Sequence, residues 1–206
     1  MAYGEAESQG ITRGNKFYHK ALNLFIEFPA GWQLQNGASQ LTAIAPNGEE
    51  AIIMEMDSVA PPVDPSRYLA SKFSSFKQGQ RVSTSEDQAY AGVGTITQSG
   101  ASQTRRIAMV TRGQQAFIIS GLGKSSLPNQ STFLNVAKSV RKLKSSERAL
   151  ATGRKIKLVT AQRGDTIKSL AARSNLDSYA EAQIRLINDL YPAGEPTPGQ
   201  LIKIIQ

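Results

Sequence analysis

A chain of 206 residues, 40% of them apolar, holds enough for real cores, which excludes global disorder. The absence of cysteine excludes disulfides and thiolate metal sites, and the length suits one large domain or two small ones. A formal charge of +8 favours polyanionic partners: nucleic acid, anionic lipid or acidic wall polymers.

The N-terminus has neither a basic start nor an apolar run, so it does not read as a signal peptide. No window approaches the ~20 apolar residues of a spanning helix. Gly4, Gly10 and Gly14 read like a linker, and a flexible lead over residues 1–15 is expected, as in a fragment of a longer chain. From Lys16 onward short alternating runs predict strands. Leu24, Ile26 and Phe28 share one face, the turn Pro29-Ala30-Gly31 follows, and Trp32 to Leu34 make a second short strand. Residues 41–45 and 51–56 read as a hairpin closed by Asn47-Gly48, with Ile52, Met54 and Met56 facing one way.

The period then changes. Asp64 caps a helix with Pro65 in its first position, and Leu69, Phe73 and Phe76 follow at helical spacing. After Gly79 three more strands are expected, over about 81–98, 104–111 and 114–121. The first is broken at Glu86-Asp87 or at Gly92-Val93-Gly94, and the last two are joined tightly at Arg112-Gly113. Gly92-Val93-Gly94 lacks the third glycine and the helix of a phosphate loop, and reads as a bulge or a crowded strand. A second helix over about 128–143 would bury Phe133, Val136, Ala137, Val140 and Leu143. The order predicts an α+β domain over residues 16–144, an antiparallel sheet covered by helices.

Residues 138–155 carry seven cations (Lys138, Arg141, Lys142, Lys144, Arg148, Arg154, Lys155) against Glu147 alone. No aromatic residue lies among them to stack on bases. They read as a solvated helix end and a linker over 145–153, which argues against nucleic acid. A small second domain over 154–206 has the order β-α-α-β. Asp165 is expected to accept the first helical amides, and Ser178 with Glu181 forms a capping box for a helix running to Leu190. Ile167, Leu170, Ala171, Ile184, Ile187 and Leu190 supply the buried faces.

The single histidine, His19, cannot build a zinc set or serve a cysteine nucleophile, and no Gly-x-Ser-x-Gly or Ser-x-x-Lys stands in a convincing context. No catalytic residue and no metal ligand is assigned, and this chain is not expected to be an enzyme.

Val159, Gly164-Asp165-Thr166, Leu170-Ala171, Asn188, Pro198-Gly199-Gln200-Leu201 and Ile204 resemble the LysM family of glycan-binding domains. That resemblance implies a shallow groove for N-acetylglucosamine polymers such as peptidoglycan. It would lie between the loop entering the first helix (Gly164, Asp165, Thr166) and the loop leaving the second (Asn188, Leu190, Tyr191). Each residue also has a purely structural role available: Gly164 for the turn, Asp165 for a cap, Asn188 for loop backbone.

The segment Gly14 to His19, then Leu24 to Trp32, Asn36 and Ala45-Pro46-Asn47-Gly48, resembles the region downstream of the catalytic domain in bacterial HtpX-like zinc-dependent metallopeptidases. The Phe-Pro-x-Gly-Trp core is similar to PsbP-like domains, which are α+β sheets covered by helices. The resemblance implies a non-catalytic accessory C-terminal region of a periplasmic or cell-envelope protease. Its zinc would sit on a His-Glu-x-x-His helix absent from this chain. The implied partners are its own catalytic domain, another envelope protein, or peptidoglycan. A free-standing module binding peptidoglycan or N-acetylglucosamine is the alternative.

Overall fold

The computed structural model describes residues 2–85, 88–98, 100–124, 127–174, 176 and 179–206. The chain forms two compact units. One is Glu7–Ala151; the other joins Thr152–Gln206 to Met1–Ala6.

The larger unit is α+β. Strands β2 (Ile11–Arg13), β3 (Lys16–His19) and β4 (Leu24–Glu27) form a three-stranded antiparallel sheet. Strands β5 (Gln33–Asn36), β6 (Gln40–Ile44), β7 (Glu50–Ser58), β8 (Ser74–Ser83), β9 (Gln88–Gln98), β10 (Ala101–Arg112) and β11 (Gln115–Gly123) form a seven-stranded antiparallel sheet, in the order β5-β6-β7-β11-β10-β9-β8. Helix α1 (Pro65–Lys72) packs on one face of it, and α2 (Gln130–Ser139) packs with β3 and β4 on the other. The two central strands are therefore apolar on both sides. Ile107, Met109, Ala116 and Ile118 belong to the core under α1. Ala108, Val110, Phe117 and Ile119 belong to the core under α2, together with Leu24, Ile26, Phe28, Phe133 and Val136. This sandwiching explains the continuous apolar runs at these strands.

Local signals set most element starts. Asp64 accepts from the Ser66 and Arg67 amides at the start of α1, with Pro65 in its first turn. Asn129 accepts from Ser131 and Thr132 at the start of α2. Gly48, at φ +67°, closes the β6–β7 hairpin, its amide donating to Ala45 O at 2.9 Å.

Several ends differ from the sequence expectation. Helix α1 stops at Lys72, so Phe76 lies on strand β8, where it still packs against the same core as Leu69 and Phe73. Helix α2 ends at Ser139. Val140 stays buried beyond it, while Leu143 joins a separate small cluster with Tyr18, Phe25 and Ala151. The basic residues after Lys138 are thus not a helix end. Arg141 instead pairs its backbone with Phe25, stacks its guanidinium 3.8 Å from the Phe25 ring centroid and holds Glu147 through two 2.7 Å bonds. Met56 shares the face of Ile52 and Met54 but lies at an exposed strand end. Strand β9 runs unbroken through Gly92-Val93-Gly94, and the break expected at Glu86-Asp87 lies outside the described residues.

The segments expected as a flexible lead and a linker carry structure. Ala2–Tyr3 forms β1, paired with β12 (Arg154–Thr160), and Ile11 is buried on β2. Residues 145–147 form a 3-10 turn whose Glu147 accepts from the Lys144 amide, Ala151 is fully buried, and the unit boundary falls after it.

The smaller unit has the predicted β-α-α-β order: β12, α3 (Ile167–Ala172), α4 (Ala180–Ile187) and β13 (Leu201–Ile205). Its core is Ile167, Leu170, Ala171, Ile184, Ile202, Ile204 and Ile205, with Val159, Ile187 and Leu190 packed against it. Helix α4 stops at Ile187, three residues short of the expected Leu190, because Asn188 ends it and Asp189 turns left-handed at φ +58°. The expected Ser178–Glu181 capping box cannot be placed, since Ser178 lies outside the described residues.

Candidate functional site

The turn before α3 is built by backbone geometry. Gly164 sits at φ +90°, a conformation that disfavours any side chain. Asp165 N–H donates to Gln162 O at 3.0 Å, and Asp165 Oδ2 accepts from the Gln162 amide at 2.8 Å. The Asp165 carboxylate therefore closes the turn on itself and does not cap the helix, as the sequence had suggested. Thr166 does so: its hydroxyl accepts from Ser169 N at 3.1 Å, and the Ser169 hydroxyl accepts from Thr166 N at 3.0 Å. The signal for this reciprocal pair was the spacing Thr166-x-x-Ser169.

On the other loop, the side chain of Asn188 is fully engaged. Its amide donates to Ile184 O at 2.8 Å and Lys203 O at 2.9 Å, and its oxygen accepts from Lys203 N at 2.8 Å. It ties the end of α4 to β13 as a strand neighbour would. Leu190 packs on the small core. Tyr191 is 64% exposed.

A residue the sequence reading did not single out links the two loops. Glu195 Oε2 accepts from the Ile167 amide at 2.7 Å, and Oε1 accepts from Arg185 at 2.5 Å. Arg185 also donates to Gly194 O at 3.1 Å and faces Glu181 at 3.4 Å. The Ile167 amide, then Arg185, hold the Glu195 carboxyl below its ordinary value. The only sequence hint was the unusual exit loop, residues 191–196, in which Glu195 is the one acid. Of the six candidate positions, Gly164, Thr166 and Tyr191 are thus exposed, Asp165 is partly covered, and Asn188 and Leu190 serve the scaffold.

His19 ends β3 and is 9% exposed. Its Nδ1 accepts from Leu22 N at 3.3 Å, and its ring meets Phe17 edge-on. Burial pushes its pKa down, against a bond to the Ser8 backbone. With one engaged imidazole and no cysteine, the residues of this chain do not fit a zinc site. Among the described residues, no group of three His, Asp or Glu side chains is placed to hold a metal.

The larger unit has an open groove of about 390 Å³ between α2 and residues 27–30. Two of its polar side chains are already engaged. Ser139 Oγ accepts from Glu27 N at 2.9 Å, and Asn15 donates to Phe28 O at 2.5 Å. No helix among the described residues is long and apolar enough to cross a membrane.

No family model and no curated protein matches the chain. Solved structures show distant likenesses. One is a protein of Bacteroides thetaiotaomicron at 12% identity and TM-score 0.47, covering 79% of this chain, which spans 58% of that one. Another is LpqN of Mycobacterium tuberculosis, involved in cell envelope biogenesis, at 14% identity and TM-score 0.36, covering 56% of this chain and 78% of that one. A third is a Pseudomonas aeruginosa protein of unknown function, PA94, at 12% identity and TM-score 0.29, covering 62% and 88% respectively.

Proposed function

We propose that this chain is a non-catalytic accessory region of a cell-envelope zinc-dependent protease, which positions that protease through contact with protein or peptidoglycan. The observation carrying the reading is the bridged pair of loops in the β-α-α-β unit. Glu195 joins the exit loop to the start of α3, so the surface between them is preformed and not left to close on a ligand. The zinc belongs to a segment outside this chain, and its own residues perform no bond-breaking step. They bind and orient.

A second reading is a free-standing module for peptidoglycan or N-acetylglucosamine polymers. The exposed Tyr191 ring favours it, since an aromatic face beside loop amides suits acetamido sugars. In that case Gly164, Thr166 and Tyr191 carry the contact. Sedimentation of the chain with purified peptidoglycan tests glycan contact. Binding should fall several-fold in Tyr191→Ala, and equal binding by wild type and variant removes Tyr191 from the site. Sequencing the parent reading frame tests the protease link, which is lost if no His-Glu-x-x-His stands upstream.

A further inference from the structure

The seven-stranded sheet has two edges, and they differ. Edge strand β5 has four residues and no charge, and the Asn36 side chain at its end donates to Gln9 O at 3.2 Å and Gly10 O at 3.1 Å. Edge strand β8 has ten residues, of which Val82 alone is buried. Its sequence, Ser-Ser-Phe-Lys-Gln-Gly-Gln-Arg-Val-Ser, holds two cations and no acid. The first half is irregular: Ser75 and Gln78 take positive φ, and the register with β9 shifts on both sides of Lys77. Such irregularity blunts an edge against pairing. From Gln80 to Ser83 the register is regular, so alternate backbone groups of this stretch face outward along an open edge.

A cavity of about 270 Å³ adjoins that regular stretch, between it, the start of β9 and the start of α1. Pro62 and Pro65 give it an apolar wall, and Arg81, Gln88 and Tyr90 a polar one. Arg81 and Tyr90 are cross-strand partners. Gly79 lets the Tyr90 ring lie over the edge strand, since a Cβ there would stand 2.6 Å from the Tyr90 hydroxyl oxygen. Among the described residues, no hydrogen bond or ion pair takes up the Arg81 guanidinium, the Gln88 side-chain amide or the Tyr90 hydroxyl. The acid on the wall, Asp64, is directed at its own helix: it accepts from the Ser66 amide at 2.8 Å and the Ser66 hydroxyl at 2.6 Å.

We infer that the Gln80–Ser83 edge takes up an extended acidic peptide of a partner protein as an added strand, with one peptide carboxylate in the pocket of Arg81, Gln88 and Tyr90. In strand addition the main-chain bonds give affinity and a side-chain pocket gives specificity, and both parts are present here. The guanidinium fork, the amide and the phenol all donate, which suits a carboxylate. A second copy of the chain does not fit. Antiparallel pairing of Gln80–Ser83 with itself brings Arg81 next to its own copy, and the irregular half of β8 obstructs a longer pairing. Every residue used lies in the larger unit, so the inference goes beyond the glycan and protease readings and fails independently of them.

The test is selection of random octapeptides displayed on phage against the full chain, followed by fluorescence anisotropy of the enriched sequences as synthetic peptides. Acidic, strand-forming sequences are expected. Their binding should protect the amides of residues 80–83 from hydrogen exchange and leave those of β5 unchanged. Arg81→Glu should weaken binding about tenfold or more, with an unchanged melting temperature because the side chain is exposed. If that variant lowers the melting temperature, Arg81→Gln takes its place, with a smaller loss expected. Methylating alternate amides of the peptide should abolish binding. No enrichment, or enrichment of sequences without acids, overturns the inference. So does undiminished binding by the Arg81 variants, and so does unchanged exchange at residues 80–83. Undiminished binding of the methylated peptide also overturns it, and would mark a surface for any soluble polyanion.

Discussion

Arg141 and Glu147 show how one pair of residues organises a segment that reads as plain basic linker. The guanidinium is 21% exposed and the carboxylate 16%, their contact is bidentate, and the Phe25 ring lies under the cation. Arg141, and then the Lys144 amide, hold the Glu147 carboxyl down at about 2 against an ordinary 4.5. A depressed carboxylate stabilises the fold fully above 4.5, and that contribution is lost as pH falls from there toward 2. Arg141→Ala should therefore lower unfolding free energy by about 2–3 kcal/mol at pH 7 and much less near pH 2.5, read by urea denaturation at both pH values. His19 adds a second acid-sensitive window. Its pKa is lowered by burial, so the unfolded chain binds the proton more readily. Stability should fall as pH drops through 6.5, and His19→Gln should flatten that part of the profile.

Strand β9 illustrates close approach at the level of an element. A Cβ on Gly92 would lie 2.6 Å from Phe76 Cζ and 2.7 Å from the Lys77 carbonyl oxygen. The sequence offered a bulge or crowding, and crowding it is: β9 is continuous, while the register shifts flank Lys77 on β8, the partner strand. Gly92→Ala should cost about 1–3 kcal/mol in thermal unfolding, because the obstruction includes backbone. Caps divide differently. Asp64→Ala should cost about 1 kcal/mol through the lost α1 cap, and Thr166→Ala about as much for α3. Asp165 was readable as the cap from sequence because Gly-Asp-Thr commonly opens a helix. Of the two adjacent polar residues it is Thr166 that caps, through the reciprocal pair its spacing to Ser169 allows, while the Asp165 carboxylate is taken by the Gln162 amide.

At the scale of the molecule, the two ends of the chain meet. Tyr3 on β1 packs against the small core and donates its hydroxyl to Gln183 on α4 at 3.2 Å, 180 residues away. A unit of this size is marginal on its own, so such a contact matters. Tyr3→Ala should destabilise residues 152–206 by about 1–2 kcal/mol, visible as earlier loss of hydrogen-exchange protection in β12 and α4 than in β10 and β11. Retained protection would show that the β12–β13 pair suffices.

The α+β class, the β-α-α-β tail, the Asp64 cap and the buried stripes of α2 and α3 were legible in the sequence, because each rests on spacing of 2 or 3.6 residues and on a neighbour within one turn. The role of residues 1–15, the early end of α1, the burial of Ala151 and the clasp between Glu195, Ile167 and Arg185 were not. They depend on partners 10 to 180 residues distant, whose approach only the folded sheets and helices fix. The same cause separates the six candidate site residues. The resemblance to LysM domains named them alike, but register with β13 engaged Asn188 and the small core covered Leu190, leaving Gly164, Thr166 and Tyr191 at the surface.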